Sequence, residues 1–204
     1  MSIEFLLTSL IVVAIPGTGA IYTISTAIGG GFRSGLFATV GCTLGIVPHI
    51  VAAMLGLSGI MQIGAGVFEA VRWAGVAYLV LMGISMIRDR GSLHLADPNV
   101  SPRSLGLIVR RGILLNLLNP KLTIFFFAFL PQFLDSSPTL LDVRLIGLAG
   151  IFMLMSLVVF AIYAWASATL SQRLLAAPAA QRWLQRTFGS ILLGVAARLA
   201  VTDR

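Results

Sequence analysis

The chain has 204 residues, of which 58% are hydrophobic and 10% charged, with a mean hydropathy of +0.99. A soluble domain carries about 25% charged residues and must turn much of its surface to water, so a soluble enzyme, a disordered tail and a disulfide scaffold are excluded and lipid is the implied solvent. The formal net charge of +7, from 14 Lys+Arg against 7 Asp+Glu, shows no aromatic-interleaved basic face of the nucleic-acid-binding kind; the positive charges sit between apolar runs, as membrane anchors do.

In chain order, the first apolar run covers about residues 3–28. It opens with Glu4 instead of the basic segment of a signal peptide, and its apolar stretch is too long for one, so it reads as a retained first helix. Pro16-Gly17-Thr18-Gly19 interrupts it near the middle. Proline removes a backbone donor and clashes with the preceding turn, so the helix is expected to break there. Amides at the restart attract anions, and Thr18 and Tyr22 add hydroxyls. Close packing of small residues is the plainer reading of the same stretch, and the two are compatible. A short connection with Arg33 leads to the second run, 36–63. It holds Cys42, the only cysteine, which excludes an intrachain disulfide and is expected to be a small buried hydrophobe. Gly41 and Gly45, with Gly56 and Gly59 beyond, allow close helix approach, within the chain or between two copies. His49, after Pro48, is expected well inside this helix, either as a proton carrier or as a neutral imidazole bonded to a backbone carbonyl.

A third run covers 70–87 and leads into the only sizeable linker, 88–111, which contains Pro98 and Pro102 among turn formers. The fourth run, 112–134, is interrupted by Asn119-Pro120-Lys121. A charge this deep in an apolar span is costly and is a functional candidate by default. The Lys121 ammonium can bind a substrate carboxylate, and Asn119 can bond the substrate or the freed backbone. Alternatively Lys121 snorkels toward the cytoplasmic face or pairs with a carbonyl at the break. Phe125, Phe126, Phe127 and Phe129 read as lipid-facing or packing bulk. The fifth and sixth runs are 145–170 and 183–201, the last weakened by Arg186 and Arg198. Each run approaches the ~20 residues needed to cross a hydrocarbon core of ~30 Å, and the alternation of a β-barrel is absent. The fold class expected is therefore an all-α integral membrane protein with six transmembrane helices.

Lys and Arg in the connections orient such a protein, because they favour the cytoplasmic side. The odd-numbered connections carry nine (Arg33, Arg88, Arg90, Arg103, Arg110, Arg111, Arg173, Arg182, Arg186) and the other side three (Arg72, Arg144, Arg204). Both termini are then outside and the 88–111 linker cytoplasmic. The linker separates a first three-helix unit, 1–87, from a second, 112–204. Each unit opens with a Pro-broken helix, and the third helices begin alike at Arg72-Trp73-Ala74-Gly75 and Arg186-Thr187-Phe188-Gly189. Three spans per unit make the second enter from the opposite face, as an inverted repeat. Secondary transporters commonly use this plan, with the substrate site at discontinuous helices near the midplane. Two unrelated proline kinks are the competing explanation.

The stretches IPGTGAIYTISTAIGGGFRSGLFATVGCTLG (15–45), GILLNLLNPKLTIFFFAFLPQF (112–133) and, more weakly, GVAYLVLMGISMI (75–87) resemble the lysine exporter (LysE/RhtB-type) amino-acid efflux family. The resemblance extends over nearly the whole chain. It implies a small bacterial inner-membrane exporter of amino acids or related compounds that draws on the proton motive force. Where the family has Pro-Gly-Pro in the first helix this chain has Pro16-Gly17-Thr18, which keeps the break and puts the substrate preference in question.

The function expected is export of a small amino acid or derivative by alternating access, with Lys121, Asn119 and Pro120 facing Pro16, Gly17, Thr18, Gly19 and Tyr22 across the substrate site. No Asp or Glu lies deep in any run, which leaves His49, Lys121 or an end carboxylate such as Glu4 to carry protons. The partners expected are an amino-acid-like substrate and the lipid bilayer, with no nucleic acid, and a homodimer is plausible because six helices make a thin wall. No catalytic set, metal-ligand cluster or phosphate-cradling loop is legible, so no enzyme activity, metal or cofactor is expected. The competing functions are a metal-ion exporter of the same superfamily and a membrane subunit that only anchors a partner.

Overall fold

The computed structural model describes residues 3–63, 65–88, 104–133, 143–169 and 178–201. Among them every element is helical and there is no strand. The residues Arg90, Arg103, Arg173 and Arg204, most of the 88–111 linker, and Asp135 and Asp142 lie outside the described residues, as do the side chains of Arg72, Arg182 and Arg198.

The first helix, α1, runs over Ile3–Ala14 and stops where Pro16 has no N–H to offer. Gly17 is extended (φ −107°, ψ −169°), and α2 restarts at once over Thr18–Leu44. Within α2, Gly31 takes φ 74° and ψ 178°, the one positive-φ residue among those described. A side chain disfavours that conformation. The chain folds back on itself there: the Cys42 thiol reaches the Gly19 carbonyl at 3.6 Å across the two arms of the hairpin. The connection expected around Arg33 is thus a turn at Gly31 between two helical arms.

The expected second span, 36–63, is not one helix. Its backbone pattern slips at Gly45-Ile46, where the Ile46 N–H bonds Thr43 O instead of Cys42 O, and α3 follows over Val47–Ile63. Pro48 therefore stands in a first helical turn, where its missing donor costs nothing. Next, α4 covers Ala65–Arg88. After the linker, α5 (Leu105–Leu117) begins earlier than the apolar run suggests, because the Ser104 hydroxyl caps it by accepting from the Leu107 N–H. The amphipathic first turns carry Arg110 and Arg111 exposed.

The fourth run breaks as Asn119-Pro120 predicts. A short α6 (Pro120–Ile124) leads into a π-turn over Phe125–Phe129 and a 3-10 turn over Leu130–Phe133. Phe125 stacks on Phe152 with ring centres 4.5 Å apart, and Phe126 meets the same ring edge-on at 5.2 Å. These two phenylalanines and Phe129 are core, not lipid-facing. The last described helices are α7 (Val143–Thr169) and α8 (Pro178–Val201).

The hairpin α2 packs against both α5 and α7, while α4 and α8 pair with each other. The α2–α5 crossing is a backbone approach: a Cβ on Gly112 would lie 2.9 Å from Cys42 N, and one on Gly45 would lie 2.7 Å from Ile113 O. The Gly41/Gly45 face thus serves packing within the chain.

The distribution of polarity inverts that of a soluble bundle. On α7, Ser156 and Ser167 are buried with Phe152 and Phe160, while Leu154, Val158, Ile162 and Trp165 are exposed along the opposite face. Thr8, Ser9, Thr23, Thr39 and Thr43 are buried too. Apolar surface turned outward on this scale fits a lipid solvent. Two helical stretches, Thr18–Gly56 (which includes the hairpin) and Val143–Thr169, are long and apolar enough by composition to enter a membrane.

Candidate functional site

In an α-helix, the carbonyl of residue i bonds the N–H of residue i+4. A proline therefore orphans the carbonyl four residues before it. Pro16 orphans Val12 O; Pro120 takes the i+4 donor from Asn116 O, which keeps a backbone bond from the Asn119 N–H at 3.1 Å. Both carbonyls are buried in an apolar bundle, where an unmet acceptor costs ~1–3 kcal/mol. Both are met, each by a side chain from a distant part of the chain.

At the first break, the Lys121 ammonium donates to Val12 O and Ile15 O, each at 2.9 Å. The neighbouring Ala14 carbonyl accepts from the Tyr163 hydroxyl of α7. Three of the last carbonyls of α1 are thereby satisfied without helix. Lys121 is 6% exposed, and among the described residues its ammonium bonds these two carbonyls and no carboxylate. The sequence left snorkelling and carbonyl pairing open for Lys121; the structure shows carbonyl pairing.

At the second break, His49 Nε2 lies 2.9 Å from Asn116 O, and the Thr123 hydroxyl lies 3.1 Å from His49 Nδ1. A carbonyl only accepts, so the ring carries a proton on Nε2; in the neutral imidazole Nδ1 then accepts from the Thr123 hydroxyl. Asn119 caps α6: its Oδ1 accepts from the Lys121 N–H at 3.1 Å, so the same residue that starts the helix orients the lysine backbone. Asn119 Nδ2 donates to Asn116 Oδ1 at 3.2 Å. Asn116 Nδ2 in turn donates at 2.6 Å to Cys42 O, the carbonyl left over at the Gly45-Ile46 slip.

Asn116 is the junction of this network, and sequence reasoning missed it. Its carbonyl, amide nitrogen and amide oxygen each serve a different segment, and it is 2% exposed. The available signal was its position four residues before Pro120 and its polarity within an apolar run. The packing around it leaves no slack, since a Cβ on Gly19 would lie 2.6 Å from Asn116 Oδ1.

A small cavity of about 10 Å³, room for about one water molecule, opens between the breaks. Gly17, Gly19, Asn116, Asn119, Lys121 and Ser156 supply its polar and small lining, with Phe152 and Phe160 among the apolar walls. Of the residues singled out from sequence, Lys121, Asn119, Gly17 and Gly19 come together here. Pro16 and Pro120 shape the breaks without lining the cavity. Thr18 is exposed, with its hydroxyl 3.5 Å from Leu115 O, and Tyr22 donates to Ile108 O at 2.9 Å; both tie α2 to α5. His49 stands one hydrogen bond behind the cavity, through Asn116. Glu4 is exposed at the start of α1, away from the cavity.

The arrangement is a cation held between two broken helices, with uncapped amides at the start of α2 beside it; Gly17 offers no side-chain cap there.

Comparison with known proteins gives a family model, LysE type translocator, that matches residues 10–203. A homoserine/homoserine lactone efflux protein of Salmonella typhimurium is 35% identical over 200 residues, 96% of this chain and 94% of that protein. A leucine efflux protein of an Enterobacter species is 28% identical over 193 residues, 93% of this chain and 90% of its own length. An uncharacterized membrane protein of Vibrio cholerae is 35% identical over 133 residues, 65% of this chain and 64% of that protein. No solved structure matches.

Proposed function

The chain belongs to the LysE type translocator family, and from that premise we propose that it is a secondary transporter exporting a small amino acid or derivative across the bacterial inner membrane. The observation that carries this reading is the Lys121 ammonium, buried among apolar helices and held on backbone exposed by a break. A buried cation without a carboxylate partner is costly. An exporter has a use for it, because a substrate carboxylate can take up the charge.

The proposed membrane arrangement has six passes: α1 with the first arm of α2, the second arm with α3, then α4, then α5 through the 3-10 turn, then α7 and α8. We read them as two inverted three-helix repeats, 1–87 and 112–204, joined by a cytoplasmic linker, with both termini outside. The reciprocal capping supports two units, since each carbonyl that a proline deprives of its i+4 donor accepts from a side chain of the other unit. Rocking one unit against the other separates Lys121 from Val12 and Ile15, and thereby couples site opening to alternating access. His49 is the proposed proton carrier. It bonds the residue that shapes the cavity. A homodimer would thicken the wall around the path.

Flux tests the reading. The purified chain is reconstituted in liposomes under an imposed pH gradient, and labelled homoserine, homoserine lactone and leucine are screened. Gradient-dependent flux of at least one is expected. Absence of flux for all three, in vesicles where a known exporter works, sinks the amino-acid reading.

A further inference from the structure

The Val12 and Ile15 carbonyls form a ready-made cradle for an ammonium group, and in this structure the group seated there belongs to the chain itself. Both oxygens are 2.9 Å from Lys121 Nζ. They stand at the C-terminal end of α1, where the helix dipole adds negative potential. Pro16 offers Val12 O no backbone donor and Gly17 is extended, and among the described residues the two carbonyls share the Lys121 ammonium as partner. Gly17 also keeps the approach clear: a Cβ there would come within 3.2 Å of Nζ. The adjoining cavity of about 10 Å³ has room for about one water molecule. No second ammonium can reach the carbonyls while Lys121 occupies them.

We propose that the Val12 and Ile15 carbonyls are the subsite for the substrate's amine, and that Lys121 fills it as an internal stand-in until substrate displaces it. The proposal rests on the transport reading and assigns the other end of the substrate. One ammonium replaces another on the same two acceptors, so neither carbonyl is left bare at any stage. The displaced Lys121 becomes free to meet the carboxylate of the same molecule, beside the uncapped amides that open α2. The substrate class that fits both ends is a small primary amine that also carries a carboxylate, since only the carboxylate compensates the displaced Lys121. Occupancy of the cradle reports whether the two broken helices are tied together.

The test removes the stand-in and offers a simple amine. The full-length Lys121→Ala chain, purified in detergent, is heated with ethylammonium, tetramethylammonium, ethanol or propionate at equal ionic strength. Ethylammonium alone is expected to raise the variant's Tm, by about 3 °C at saturation, and to leave the wild-type Tm unchanged because its cradle is full. Tetramethylammonium has the charge but no N–H to donate. No rise in the variant overturns the proposal, as does an equal rise in the wild type or with tetramethylammonium. If the alanine variant does not fold, Lys121→Met keeps the apolar stem and takes its place. Amino-acid flux in wild-type liposomes without ethylammonium stabilisation of the variant removes the subsite and leaves the transport reading standing. Stabilisation without flux of any amino acid supports the ammonium cradle and counts against transport.

Discussion

The two proline breaks are the same backbone defect repaired in two different ways. At Pro16 the orphaned carbonyl is met by a flexible, charged side chain that borders a cavity. At Pro120 the carbonyl keeps the Asn119 N–H and gains a flat imidazole, itself pinned by Thr123 and surrounded by amide groups that are bonded to one another. A lysine has three donors on a long stem and changes partners at little geometric cost. An imidazole in a closed network does not. On the proposed function, the first break is the one a ligand opens, and the second holds the reference frame against which it opens.

The contrast is broken most severely by Lys121→Ala. The variant loses the charge at the first break and strands two buried acceptors, at ~1–3 kcal/mol each. Flux in liposomes should fall at least about a hundredfold, the rate equivalent of ~3 kcal/mol. Circular dichroism should show helix content retained. Full activity in this variant would remove Lys121 from the transport path.

Asn116→Leu is next, and it attacks the second break. Leucine matches the volume but leaves Cys42 O without its 2.6 Å donor and Asn119 without its acceptor. A loss of ~2 kcal/mol in stability is expected from one fully stranded carbonyl and one weakened amide. It is read as a lower unfolding midpoint in detergent. Flux should fall with it, since the cavity wall moves. An unchanged midpoint would mean that Asn116 is not the junction described.

Gly19→Ala probes how tightly the two breaks are matched. Its Cβ would arrive 2.6 Å from Asn116 Oδ1 and 3.2 Å from the Phe160 ring. Such overpacking costs ~1–3 kcal/mol. The expected effect is a flux reduction of about tenfold, as when positioning in a packed site is disturbed. A variant with wild-type flux and midpoint would show that the network has slack.

These residues also mark what the sequence discloses and what it withholds. Both breaks are legible, because a proline inside an apolar run has one physical consequence. Lys121 is legible as a candidate, because a charge at that depth needs a reason. Its partners are not, since they are backbone carbonyls more than a hundred residues away and carbonyls leave no mark on a sequence. Asn116 is hidden for the same reason: its importance comes from three partners on segments that only the fold unites. The slip at Gly45-Ile46 looked like the middle of a helix, and the hairpin at Gly31 looked like a loop, because glycine is compatible with helix, turn and close packing alike. Phe125, Phe126 and Phe129 are as apolar as lipid-facing residues, so composition cannot assign them a side; the fold seats Phe125 and Phe126 on Phe152 of α7.

The mildest change separates the two roles open to the second break. His49→Gln replaces the imidazole with an amide that can still donate to Asn116 O, at a stability cost below ~1 kcal/mol for a retained neutral hydrogen bond. Glutamine cannot take up a proton. If His49 carries protons, the variant should still exchange labelled for unlabelled substrate across the membrane without a gradient. An imposed pH gradient should then no longer drive accumulation. If His49 serves only as a cap, driven accumulation survives at close to the wild-type level. The comparison is between two rates in the same vesicles, so a modest general loss of activity does not blur it. His49→Ala serves as the control: it removes cap and titration together and should lower both rates. A His49→Gln chain that still concentrates substrate against its gradient would move the coupling proton to Lys121, the other titratable side chain buried at the breaks.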